Sequence, residues 1–226
     1  MRHSAKRITL NIFGSILAVL ISIMSIFLML GIVVNIVYIK TTVRGYSMQP
    51  TLNAYVTDED QDGDTVFVNR FREYEVGDIV VATNKIEASL SVIKRLVGKE
   101  GDLIQIKEEA GYYHLLVNEE LLYTRKKSSV GTHGYSGTQD YYESYLRYIY
   151  NNRGTDLVAL NATGEECIRV PEGKCFLMGD NWGETTDSLF YGPVNEDSII
   201  GRAEFVVEMG DNVMIMAIKN IWEILT

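Results

Sequence analysis

The sequence predicts a mostly β protein: a single N-terminal transmembrane helix followed by an exported domain of antiparallel sheet. Three observations carry this. The run from Ile8 to Ile39 holds 32 residues without a charge. After it, apolar residues come in short alternating runs bounded by Gly, Asp, Asn or Pro. The Lys and Arg residues are also unevenly divided, with three ahead of the apolar run and an acidic excess beyond it.

The apolar run would form a helix of roughly 48 Å at about 1.5 Å per residue, against a hydrocarbon core of about 30 Å. It is far longer than the apolar stretch of about 7 to 15 residues in a cleaved leader, so it reads as an anchor. Residues 1–7 carry Arg2, Lys6 and Arg7, whereas residues 40–226 hold 18 Lys and Arg against 30 Asp and Glu, a net of −12. The positive-inside rule then keeps 1–7 in the cytoplasm, puts the anchor at 8–39 and exports 40–226 through the plasma membrane. Membrane lipid is thus an expected partner. Nucleic acid is not, because phosphate binding needs a basic footprint.

Eight runs read as strands: "TVFVNRF" (65–71), "DIVVAT" (78–83), "SVIKRLVG" (91–98), "DLIQIKE" (102–108), "HLLVNEELL" (114–122), "ECIRV" (166–170), "CFLMG" (175–179) and "GRAEFVVE" (201–208). Their number and spacing suggest packed or partly closed sheets. Two stretches break the rhythm. "VTDEDQDGD" sets Asp58, Asp60, Asp62 and Gly63 at the first positions of a calcium loop, but Asn69 stands where the closing Glu belongs, so the acids read as a solvated insertion. Residues 123–160 are rich in Ser, Gly and Tyr and read as an inserted lobe, with Tyr141, Tyr142, Tyr145 and Tyr148 at helical spacing and packed on the sheet. Cys167 and Cys175 flank "IRVPEGK"; a bridge across a hairpin and two buried free thiols both fit that spacing.

Ser47, in "RGYSMQPTL", lies eight residues past Ile39 and so within about 28 Å of the end of the apolar run even when fully extended. A serine hydroxyl needs a base in hydrogen-bond reach to act as a nucleophile. His3 is on the wrong side of the membrane, and neither His114 nor His133 has a motif around it. In "SVIKRLVG", strand alternation puts Lys94 on one face with Val92 and Leu96, and Ile93, Arg95 and Val97 on the other. Desolvation on that face would lower the Lys94 pKa towards the range useful to a general base. Periodicity alone equally allows Lys94 to snorkel at a sheet edge.

"SMQPTL" (47–52), "GDIVV" (77–81), "KRLVGKEGD" (94–102) and "GDN" (179–181), the last followed by "DS" (187–188) and Gly192, come in this order behind one anchor. Together they resemble the boxes of bacterial type I signal peptidases, membrane-anchored Ser/Lys endopeptidases that remove secretory leaders. The resemblance spans the chain except the acidic loop and the Tyr-rich lobe, and it lies closest to the Gram-positive branch. It implies a β catalytic domain, Ser47 as the acylated nucleophile, Lys94 as general base and cleavage after a small P1 residue. Signal peptides of exported preproteins are the implied substrates and the secretion translocon a possible partner, with no metal, no cofactor and no accessory subunit.

The same resemblance places the Ser47 N–H and Gly45 at the oxyanion site, Met48 under the substrate pocket, and Thr185 where a small hydroxyl residue helps hold the lysine. Pro50, Arg95, Gly179, Asp180, Asn181 and Asp187 take structural places near the site. Two positions depart from the pattern: Trp182 follows the "GDN" where an arginine is usual, and Leu189 replaces the arginine that pairs with the Asp of the last box. Asp187 must therefore find another partner, Arg95 or solvent. Dedicated processing of pilins or other surface proteins would use the same boxes, and an inactive anchored scaffold would keep them without needing Ser47. A soluble self-cleaving repressor is excluded by the anchor and the acidic balance.

Overall fold

The computed structural model describes residues 2–53, 63–87, 90–126, 142–143, 146 and 157–208. The chain divides into two compact units, residues 1–39 and 40–226. The first is dominated by α1 (Arg2–Val37). Its segment Ile12–Val37 is long and apolar enough to cross a membrane. Hydroxyl and amide side chains within it bond back along the helix: Ser22 to Ala18 O, Ser25 to Ile21 O and Asn35 to Gly31 O. This removes the cost of bare polar groups in hydrocarbon. The helix ends two residues short of the expected boundary. Tyr38 and Ile39 open a strand, since "VYIKTT" is a β-branched and aromatic tract that favours extended backbone.

In chain order the strands are β1 (Tyr38–Thr42), β2 (Thr65–Asn69), β3 (Ile79–Thr83), β4 (Ser91–Gly98), β5 (Leu103–Glu109), β6 (Tyr112–Val117), β7 (Glu120–Lys126), β8 (Val158–Leu160), β9 (Glu166–Arg169), β10 (Lys174–Met178), β11 (Val194–Asn195) and β12 (Ile199–Val207). A one-turn helix, α2 (Ser188–Tyr191), lies between β10 and β11. The strands form a seven-stranded sheet in the order β1-β2-β12-β3-β4-β10-β11 and a five-stranded sheet in the order β7-β6-β5-β9-β8. The strand pairs with assigned register are antiparallel. One core spans both sheets, with Val97, Phe176 and Met178 of the first packed against Ile104, Leu115 and Ile168 of the second.

Three readings change here. The run 114–122 is two strands, because Asn118 and Glu119 both take positive φ (51° and 70°) and turn the chain into a tight hairpin. The inserted segment is narrower than 123–160, since Tyr123–Lys126 complete β7 and Val158–Leu160 form β8. Of the four tyrosines at helical spacing only Tyr142 is described; it is buried in the core, and its hydroxyl donates to Ile104 O at 3.3 Å. Cys167 and Cys175 are both buried free thiols. No hairpin joins them, because β9 belongs to the five-stranded sheet and β10 to the seven-stranded one. The acidic run 54–62 and the other three tyrosines lie outside the described residues.

Candidate active site

Ser47 sits in a loop built by local bonds. Gly45 adopts φ +80°, a conformation that favours glycine, and bends the chain after β1. Gln49 N then donates to Tyr46 O at 3.1 Å and Leu52 N to Met48 O at 2.9 Å. The side chains of Met48 and Leu52, each 1% exposed, pin this turn to the interior, and Ser47 at its start is half-buried. The Gln49–Pro50 peptide is cis. Asn181 holds the loop from the other side, its N donating to Ser47 O and its Nδ2 to Tyr46 O, both at 3.0 Å.

β4 brings Lys94 to that loop. Alternation buries Lys94 and Leu96, and Lys94 Nζ lies 2.6 Å from Ser47 Oγ. Burial pushes the Lys94 amine below its ordinary pKa, while the charges of Asp187 and Asp180 pull it partly back. The sequence left two readings of Lys94 open; its 4% exposure rules out snorkelling.

Asp187 is buried and faces neither Arg95 nor solvent. One carboxylate oxygen accepts from Gly179 N and the other caps α2 through Leu189 N, both at 3.0 Å. Burial raises its pKa, and these two N–H groups and Lys94 oppose the rise. The side chain of Leu189 is buried in the core, so only its backbone N–H meets Asp187. Arg95 alternates to the face opposite Lys94 and meets Asp180, with Nε at 2.8 Å and Nη2 at 2.5 Å. Asp180 also accepts from Thr51 Oγ1 at 2.5 Å, which ties it to the end of the Ser47 loop. The Thr185 hydroxyl is buried and makes no full hydrogen bond, although it lies close enough to Asp187 to favour the carboxylate. It packs over Gly179 and does not bond the lysine.

A cleft of about 430 Å³ opens in front of Ser47 and Lys94, with Thr41–Arg44 on one wall and Val81 and Ser91–Ile93 on another. The register of β4 shows what that wall offers. Leu96 N bonds Asp78 O and Asn84 N bonds Leu90 O, so the even-numbered residues of β4 exchange bonds with β3. Alternation turns the peptide groups of Ser91 and Ile93 the other way. β10 pairs with β4 only from Arg95 onwards, so no described strand covers those groups.

The predicted residues Gly45, Ser47, Met48, Lys94, Gly179, Asn181, Thr185 and Asp187 thus converge, with Arg95 and Asp180 beside them. His114 does not join them: it is half-buried on β6, with its Nδ1 3.1 Å from Thr124 Oγ1. Sequence reasoning missed Thr51, whose place in the "SMQPTL" box was the available signal, and Tyr123, which faces Arg95 from β7.

The signal peptidase, peptidase S26 profile matches residues 16–208. The chain belongs to the signal peptidase S26 family. Among this family, signal peptidase I P of Bacillus subtilis subsp. natto is 32% identical over 76% of this chain and 77% of its own length. Signal peptidase IB of Staphylococcus aureus strain COL is 30% identical over 84% and 88%. A crystal structure of a signal peptidase I from Enterococcus faecalis aligns at TM-score 0.35 and 24% identity, covering 59% of this chain and 98% of that one. As an S26 signal peptidase this chain is a serine endopeptidase, and its apolar helix fits a membrane-anchored enzyme.

Proposed function

We propose that this signal peptidase cleaves signal peptides from exported preproteins with Ser47 as nucleophile and Lys94 as the only base. The observation that carries the reading is the 2.6 Å contact between Ser47 Oγ and a buried, desolvated Lys94 Nζ. The neutral amine takes the hydroxyl proton as Oγ attacks the scissile carbonyl. The tetrahedral oxyanion collapses, the ammonium passes its proton to the departing amine nitrogen, and an acyl-enzyme remains. Lys94, neutral again, then takes a proton from water, which attacks the ester and frees the Ser47 hydroxyl.

The Ser47 N–H donates to no described group and is the candidate oxyanion donor. A Cβ on Gly45 would meet nothing within 4 Å, so that side of the oxyanion is open space. The substrate lies extended in the cleft, pairing with the outward peptide groups of Ser91 and Ile93, which gives affinity independent of sequence. A small P1 residue follows from the family resemblance. The catalytic unit faces the extracytoplasmic side, as the basic N-terminal flank favours.

Membrane fractions carrying Ser47→Ala or Lys94→Ala test the dyad by cleavage of a panel of precursors. Each variant loses cleavage by about 10³-fold or more. Wild-type rates in either would refute the mechanism, and wild-type activity confined to one precursor class would make the enzyme a dedicated peptidase.

A further inference from the structure

Arg95 is held by more than its ion pair. Its Cζ lies 5.3 Å from the centroid of the Tyr123 ring, which β7 contributes from the other sheet. Tyr123 in turn meets Trp182 at 6.3 Å between ring centroids, and Trp182 meets the fully buried Tyr113 at 6.2 Å, both tilted by 43°. These separations fall in the attractive range for aromatic pairs. Arg125 faces the Tyr123 ring at 4.3 Å and donates to its hydroxyl, so the ring is fixed at its polar end too. Trp182, 7% exposed, directly follows Asn181, whose two nitrogens hold Tyr46 O and Ser47 O.

We infer that Tyr123 and Trp182 are positioning residues: an aromatic brace that fixes Arg95 on Asp180 and, through Asp180 and Thr51, fixes the loop that carries Ser47. The inference rests on the Ser47 and Lys94 reading above. Asp180 accepts two bonds from Arg95 and one from Thr51, so its carboxylate cannot turn without releasing the end of the loop. Arg95 has one further anchor, Nη1 on Gly77 O at 2.5 Å, which fixes one corner of the guanidinium. Arg95 Cζ lies over the Tyr123 ring, where a cation gains from an aromatic surface. Trp182 acts twice, by backing Tyr123 and by seating the turn that presents Asn181. An arginine at position 182 could reach the same end by charge. Here an apolar side chain does it by packing.

The test uses the full-length chain in detergent and a fluorogenic peptide with an Ala-x-Ala cleavage site. Tyr123→Leu and Trp182→Leu each lower kcat about tenfold and change KM less than about twofold, because the loop is misplaced while the cleft walls remain. Trp182→Phe restores kcat to within about threefold, since it returns an aromatic face. Adding Trp182→Leu to Arg95→Gln lowers kcat less than about twofold further, as expected of residues acting through one contact. Leu146→Ala opens the same core outside this chain of contacts; it lowers the melting temperature and keeps kcat. The brace is overturned by an unchanged kcat in Trp182→Leu, by an equal loss in Leu146→Ala, or by multiplicative effects with Arg95→Gln. Undiminished cleavage by Ser47→Ala would remove the dyad reading beneath it, a separate failure seen without touching the brace.

Discussion

Gly179 is the tightest point of the site, and a single methyl group there tests the geometry. A Cβ at 179 would lie 2.5 Å from Ser47 O and 2.7 Å from Thr185 Cβ, and closer still to Thr185 Oγ1. The threonine can rotate away; the Ser47 carbonyl cannot, because it is backbone and accepts from Asn181 N. Restoring an ordinary contact of 3.4 Å moves that carbonyl, and Ser47 with it, by about 0.9 Å. Overpacking of this size costs roughly 1–3 kcal/mol of stability. A displacement near 1 Å from a 2.6 Å contact with Lys94 lowers the rate by about 100-fold. Gly201→Ala supplies the control, since its Cβ would collide with the Asn69 carbonyl in the β2–β12 pair, among residues that do not line the cleft. Urea unfolding and peptide cleavage are measured on both. Gly179→Ala is expected to lose stability and activity together, and Gly201→Ala stability alone. Full kcat in a folded Gly179→Ala, or equal losses of kcat in the two variants, refutes the placement of Ser47.

Lys94 is buried with its pKa below 10.5, so the unfolded chain binds the extra proton between the lowered value and 10.5 and native stability rises with pH across that window. Lys94→Met is therefore expected to raise the melting temperature near neutral pH and to lose that advantage above about pH 10.5; destabilisation at neutral pH would contradict a desolvated amine. Arg95→Gln leaves the Asp180 charge uncompensated beside Lys94, which moves the rising limb of the kcat/KM profile to higher pH; an unmoved limb would show that Asp180 does not act on the base. Ala110, at φ 50° in the β5–β6 turn ahead of Gly111, is strained for a residue with a Cβ, and Ala110→Asn stabilises by about 0.5–1 kcal/mol in urea unfolding. Cys175, its thiol pushed up to about 12 by burial, reacts with iodoacetamide in the native protein far more slowly than in urea, and equal rates would place it at the surface.

Strand parity was legible in the sequence and set the face of Lys94, while the ordered boxes singled out the other residues of the site. The alternation of "SVIKRLVG" put Lys94 on the apolar face, and seven of the eight strand runs appear in the fold at nearly their expected bounds, the run 114–122 dividing into β6 and β7. What alternation could not give was the partner of each charge. Arg95 and Asp187 seemed available to one another, yet Arg95 lies on the face opposite Lys94, and the Asp187 oxygens are taken up by two backbone N–H groups. Those bonds depend on the turn after β10 and on the cap of α2, which are settled by tertiary placement. The same holds for Asn118 and Glu119, where a glutamate at positive φ hid a hairpin that a glycine would have announced. Tyr123 stands in sequence at the head of a Ser-, Gly- and Tyr-rich stretch, and its partner Arg95 comes from the other sheet.

The charge arrangement around Lys94 shows how a lysine proposed as a base can sit near two acids without an ion pair to either. A lysine with a free carboxylate at hand would form an ion pair and stay protonated, useless for taking the Ser47 proton. Asp180 turns its oxygens to Arg95 and Thr51, and Asp187 turns its own to Gly179 N and Leu189 N. Both acids still act on the amine through space and raise its pKa, but neither outweighs burial, and the net direction is down. The lysine is left with the serine hydroxyl as its hydrogen-bond partner among the described side chains. The residues that seem merely structural therefore bear on the proposed chemistry: by engaging each acid elsewhere, Arg95, Thr51 and the α2 cap leave burial as the largest influence on the amine, whose pKa is lowered.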